Sequence, residues 1–248
     1  MEFNFFGGDL ALDLTGTLGR RYGGTPVEFL HSPADLHRWF TAAGIADPSA
    51  TPDDDDLATA KNLREAIYRL AYAAMAAHSS RHIMANDTAT AAVIAAPDPA
   101  VAAHGAVAAN RFDVADRAGV TDGAVVAGRA GVATPLDRAV PAGAVALFDP
   151  ADRAIVNQAA AIAPPLVRID DTGALVRTGS AQASLSLVAR AAIALVTGPS
   201  AAQLHECEGP ACTRMFLDNS ARGTRRWCDM SRCGNRAKVA KFRARQTT

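Results

Sequence analysis

The 248-residue chain has no cysteine in its first 206 positions, few aromatic residues (6%), no net charge and no long unbroken apolar run. Each shortage excludes something. Its most apolar helix-like stretch, SLSLVARAAIALV, is interrupted by Arg190 and is too short to span a bilayer. The opening MEFNFFGGDL begins with an acid and has neither a basic region nor the apolar stretch of a signal peptide, so a cytoplasmic location without membrane partners is expected. No serine stands in a nucleophile-elbow motif and no glycine-rich phosphate loop is present, so no catalytic residue is assigned. Scarce aromatics with abundant alanine favour helices around a modest core, in a chain long enough for one core and a small appended module.

What is present reads as an α+β protein, a mostly helical N-terminal body with a few short strands. The run Leu10 to Leu14 suggests a strand. HSPADLHRWFTAAG predicts a helix capped by Ser32, with Pro33 in its first turn and Gly44 at its end. In the segment that follows, Leu57, Ala60, Leu63, Ile67, Leu70 and Ala74 recur at three- and four-residue spacing, which marks one buried helical face. The acids Asp53 to Asp56 at its start suit the positive end of the helix dipole better than a metal. Residues 83–148 lose periodicity, and residues 79–149 read as an insertion. Beyond it, a helix after Asp149, a hairpin LVRID–DTG–ALVRT and a helix ending near Gly198 are expected.

All four cysteines lie in the last 42 positions, a clustering that chance would produce about one time in a thousand. Cys207, Cys212, Cys228 and Cys233 form two close pairs, C-x4-C-x15-C-x4-C. A tetrahedral zinc site needs two pairs of thiolates brought face to face by an intervening loop. Without a secretory signal, disulfides are disfavoured, and a redox pair would more typically have two intervening residues. Four thiolates would close the coordination shell, so the metal is expected to be structural, a small finger that folds on binding it. Phe216 and Trp227 are expected to cover the site, with Leu217 adding apolar area.

The same segment holds ten Lys and Arg against three acids, a charge of +7, which leaves −7 on residues 1–206. NRAKVAKFRARQ predicts a helix with basic stripes, and Val239 and Phe242 between them are expected to face the finger or the body. Arg222, Arg225, Arg226, Arg232, Arg236, Lys238, Lys241, Arg243 and Arg245 are the candidate contacts to a polyanion, DNA above all. Guanidinium groups bind phosphates and guanine edges in a bidentate way.

CEGPACTRMFLDNSARGTRRWCDMSRCGNRAKVAKFR resembles the CGNR zinc finger, whose tetrapeptide stands here as Cys233-Gly234-Asn235-Arg236. In that family the finger commonly follows an N-terminal domain called ABATE, described as a stress-induced transcription regulator. GGDLALDLTGT, LREAIYRLAYAAMAAH, the helix after Asp149 and the hairpin are similar to that domain, though Gly16 stands where the family commonly has asparagine. The resemblance implies residues 1–200 as an ABATE-like domain and 201–248 as the finger, in a DNA-binding regulator with zinc on the four cysteines. It leaves to the body a sensing role for a small-molecule effector, or dimerisation, since one small module offers little specificity alone. An enzyme with its site in the body and the finger as a staple, or an adaptor for an acidic protein, are the rival readings.

Overall fold

The structure, a computed structural model, describes residues 3–22, 25–94, 147–209 and 211–246; within 79–94 only the backbone is described. Most of the insertion expected at 79–149 therefore lies outside the described residues. Met1–Ala85 and Ala146–Thr248 form one compact unit, and it contains the finger.

The expected N-terminal strand is instead a short helix, α1 (Leu10–Thr15). Asp9 caps it by accepting the Ala11 N–H at 2.8 Å. Ala11, Leu12, Leu14 and Thr15 are all buried, so apolar side chains point several ways at once and the run carries no usable period. A two-residue ladder joins β1 (Leu18–Gly19) to β2 (Val27–Glu28). The predicted second helix is α2 (Pro33–Ala42), where Ser32 and Asp35 complete a reciprocal capping box. α3 runs from Asp54 to Ile94. Its start is capped reciprocally by Asp53 and Asp56, each carboxylate accepting the other's backbone N–H. All six residues of its expected apolar face are buried.

After the insertion come α4 (Pro150–Ala161), the hairpin β3 (Leu166–Ile169) and β4 (Leu175–Thr178), and α5 (Ala181–Thr197). Gly173, at φ 83°, supplies the left-handed turn residue of that hairpin. Arg69 of α3 clamps α4 through both Asp152 oxygens, at 2.6 and 2.8 Å. Asp47 holds the start of α5 by accepting the Gly179 N–H at 2.9 Å. α5 packs on α1 and α4, and the core they share with α2 and α3 includes Leu12, Leu36, Trp39, Leu63, Ile67, Leu185 and Val188.

Inside this body lies a polar network that the periodicity of α3 does not reveal. Arg64, 3% exposed, donates to both Glu28 oxygens at 2.7 and 2.9 Å, to Thr17 and to Glu65. Arg21 donates to Glu65 as well, and to the carbonyls of Thr15 and Leu18, with its guanidinium 4.1 Å from the Tyr68 ring centre.

Asp13 on α1 has an opposite character. Burial, reinforced by neighbouring Asp9, pushes its carboxyl up to about 6 despite the Gly7 N–H and nearby Arg214. A raised folded pKa means that the ionised form costs stability, beginning above the unfolded value near 3.8 and reaching its full size above pH 6. Asp13→Asn keeps an acceptor for Gly7 and removes the charge. It is expected to stabilise the chain by about 1–2 kcal/mol at pH 7.5 and by almost nothing at pH 4. Urea unfolding at the two pH values measures the difference.

Candidate metal centre and basic helix

The last 45 residues build a second small core on the edge of the first. A 3₁₀ turn (Pro199–Gln203) leads into β5 (Leu204–Glu206), which pairs with β6 (Met215–Leu217). Along β6 the side chains alternate. Met215 and Leu217 enter the core of the body, whereas Phe216, fully buried, joins the cysteines. Leu217 thus serves the body rather than the finger, a correction that follows from the two-residue period. Phe216 and Trp227 cover the cysteines as expected.

Cys207 directly follows β5, and Cys212 lies in the loop leading to β6. Cys233 belongs to the wide turn Met230–Gly234, which runs into the last helix, α6 (Asn235–Gln246). The four Sγ atoms lie within 4.8 Å of one another, and no other such group of His, Cys or carboxylate donors occurs among the described residues. Cys228 Sγ stands 3.8 Å from Cys212 Sγ and 3.7 Å from Cys233 Sγ. A disulfide would need about 2.05 Å. A zinc–sulfur bond of about 2.3 Å in a tetrahedron sets sulfur atoms about 3.8 Å apart, so the spacing fits a zinc ion held by four thiolates.

The surroundings suit that charge. Cys207 Sγ accepts the N–H of Gly209 at 3.4 Å and of Cys228 at 3.3 Å. A Cβ on Gly209 would stand 3.1 Å from Cys233 Sγ and 3.3 Å from Cys212 Cβ, so only glycine closes the loop over the cluster without displacing a sulfur. Without metal the thiols share protons. Donation from Cys212 and Cys228 holds Cys207 far below the usual thiol range, while donation to Cys207 drives Cys228 far above it. Burial, then the neighbouring sulfur charges, push Cys233 up to about 12. A metal that binds here must displace those protons.

Two of the nine candidate polyanion contacts are engaged inside the finger. Arg225 donates to the Trp227 carbonyl at 2.8 Å and to that of Cys228, and its guanidinium lies 4.7 Å from the Phe216 ring centre. It thereby braces the backbone at Trp227 and Cys228 against Phe216. Its own N–H reaches Asp218 Oδ2 at 2.7 Å. Arg226 pairs with Glu208 and lies over Trp227. Arg222, Arg232, Arg236, Lys238, Lys241, Arg243 and Arg245 have exposed side chains.

Five of those cations belong to α6, which carries no acid and buries no residue. Val239 and Phe242, expected against the finger or body, are 48% and 62% exposed. Among the described residues the helix contacts chiefly the turn that holds Cys233, so it extends from the cysteine cluster.

Finger and body are tied by the Leu217 N–H on the Gly7 carbonyl, the Arg21 N–H on Thr213 Oγ1 and Tyr68 Oη on Glu206, at 2.8, 3.2 and 3.2 Å. Arg20 and Arg214 also face a cleft at this junction. None of Arg20, Arg21, Glu28, Arg64 or Tyr68 was marked by sequence motif. The adjacency of Arg20 and Arg21 to the two glycines at 23–24 was the one available signal.

No helix among the described residues is long and apolar enough to cross a membrane. No curated protein matches the chain. Two family models do: that described as CGNR zinc finger matches residues 203–246, and ABATE, described as "Putative stress-induced transcription regulator", matches residues 8–130. The four clustered thiols and the basic helix fall within the first match. The chain belongs to the proteins in which an ABATE domain precedes a CGNR zinc finger.

Proposed function

We propose that the protein is a DNA-binding transcription regulator whose finger, residues 201–248, holds zinc through Cys207, Cys212, Cys228 and Cys233 and presents α6 to DNA. The zinc, when bound, supplies four strong bonds that fix the turn carrying Cys233 and hence the direction of α6. Arg222, Arg232, Arg236, Lys238, Lys241, Arg243 and Arg245 are the contacts; Arg225 and Arg226 act from behind, shaping the finger. The observation that carries this reading is α6 itself, with five cations, no acid and no buried face, rooted at a metal cluster. A helix with nothing to bury against its own chain, and charge of one sign, suits a groove lined by phosphates. Among the described residues Arg226 is paired with a carboxylate, Glu208, whereas Arg222, Arg232, Arg236, Lys238, Lys241 and Arg245 form no salt bridge. Residues 1–200 then serve as the sensing or dimerising part.

If about five cations neutralise phosphates, log K is expected to fall with log salt at a slope of about −4 to −5. Fluorescence anisotropy of a labelled duplex across a salt series measures it. A flat profile removes the DNA reading. Selection of bound sequences from random DNA separates a regulator, which enriches a motif, from an adaptor or an enzyme, which does not.

A further inference from the structure

We infer that the junction between the N-terminal hairpin and the finger is a binding site for a small amphipathic anion, a phosphate or carboxylate attached to an apolar body. A cleft of about 540 Å³ opens there, of the size that takes a small-molecule ligand. Its walls bring together groups from distant parts of the chain. Arg20 comes from the β1–β2 connection, Arg214 precedes β6, and Arg232 and Arg236 flank Cys233. Four arginines line the cleft with one carboxylate residue, Asp229, beside Cys212, Cys228 and Cys233, and the Asp229 oxygens already accept from the N–H and hydroxyl of Ser231. None of Arg20, Arg232 and Arg236 has a carboxylate partner among the described residues. Phe6, Val27 and Phe29 give the same cleft an apolar side. A bare ion would leave those apolar groups unused, and an uncharged ligand would leave the guanidinium groups unpaired.

Backbone strain singles out the same place. Among the described residues only Arg20 (φ 55°) and Ala211 (φ 59°) hold a left-handed conformation without being glycine, and both line this cleft. Such strain persists where the surroundings impose it, characteristically at ligand clamps. At Arg20 it aims a long cationic side chain that glycine, the unstrained choice, could not supply.

The ligand would touch body and finger together and engage Arg232 and Arg236, two of the proposed DNA contacts, so occupancy and DNA binding would oppose each other. The inference gives the sensing role proposed above a location. Its test contains no DNA, so it stands or fails apart from that reading.

The experiment is calorimetric titration of the zinc-loaded full chain with 1-naphthyl phosphate and 1-naphthoate, against inorganic phosphate and acetate. At least one naphthyl anion is expected to bind tenfold or more tightly than its bare head group, and the tighter of the two names the head group. Arg20→Gly relieves the strain while removing the guanidinium. It is expected to weaken binding at least fivefold with an unchanged or higher Tm, an outcome that loss of folding would not produce. Arg214→Ala is expected to act in the same direction, and Arg168→Ala, on exposed β3 and outside the cleft, to leave binding unchanged. Naphthyl anions that bind no better than their head groups, or undiminished binding by Arg20→Gly, would overturn the inference.

Discussion

Removing zinc from the full chain, with a strong chelator or by Cys228→Ser, is expected to destabilise the helical body as well as the finger, by about 5 kcal/mol. The reason is the alternation along β6. Phe216 closes the cysteine cluster, while Met215 and Leu217, one residue to either side, fill the core of the body beside Leu204 of β5. Once the thiols part, only its contacts with the body hold the β5–β6 ladder in register, and a two-stranded hairpin alone is marginal in water. Each apolar side chain that leaves the body core forfeits roughly 1.5–3 kcal/mol, and three are at stake. The N–H bonds from Leu217 to Gly7 and from Asp218 to Gln203 go with them. Urea unfolding followed by far-UV circular dichroism, with and without chelator, measures this. An unchanged midpoint for the body would mean that the finger is an independent module merely tethered to it.

Arg64→Ala is expected to cost about 3 kcal/mol, or roughly 6–12 °C in Tm. The substitution strips Glu28 of both its guanidinium bonds and leaves Thr17 Oγ1 without that donor. Burial raises the Glu28 pKa, but Arg64 and the N–H groups of Leu30 and Phe29 outweigh it and hold the carboxyl below its ordinary range. A depressed folded pKa contributes stability above the unfolded value near 4.5, which is lost as the pH falls through the folded one. The penalty of Arg64→Ala should therefore shrink below about pH 4. Removing both partners, in Arg64→Met with Glu28→Gln, is expected to cost less than Arg64→Ala alone, since no buried charge is then left unpaired. Thermal melts of the unaltered chain and the two variants at pH 7.5 and pH 3.5 check both expectations.

How much of this was legible in the sequence depended on whether the signal was local. Caps, turn residues and the 3.6-residue period are properties of neighbours along the chain, and they located α2, the start of α3, α4, the β3–β4 hairpin and α5. Cysteine spacing is local too, so the metal cluster could be read from four positions. Leu10–Thr15 misled because four apolar residues with one acid among them, over so short a run, fit a strand and a buried helical turn equally well. Val239 and Phe242 misled because apolar residues between basic stripes imply a covering surface, and the finger offers none. The Arg64 network, the cleft at Arg20 and the division of β6 between two cores depend on residues from tens to more than two hundred positions apart. No spacing rule connects those.

The measurement that bears most directly on the central claim is anisotropy of a labelled DNA duplex titrated with the full chain, as purified, after chelation, and after one equivalent of zinc is returned. If the cluster of Cys207, Cys212, Cys228 and Cys233 is what aims α6, affinity falls at least tenfold on chelation and recovers on addition of zinc. Equal affinity with and without the metal would contradict it, since a basic tail that binds without its staple needs no finger.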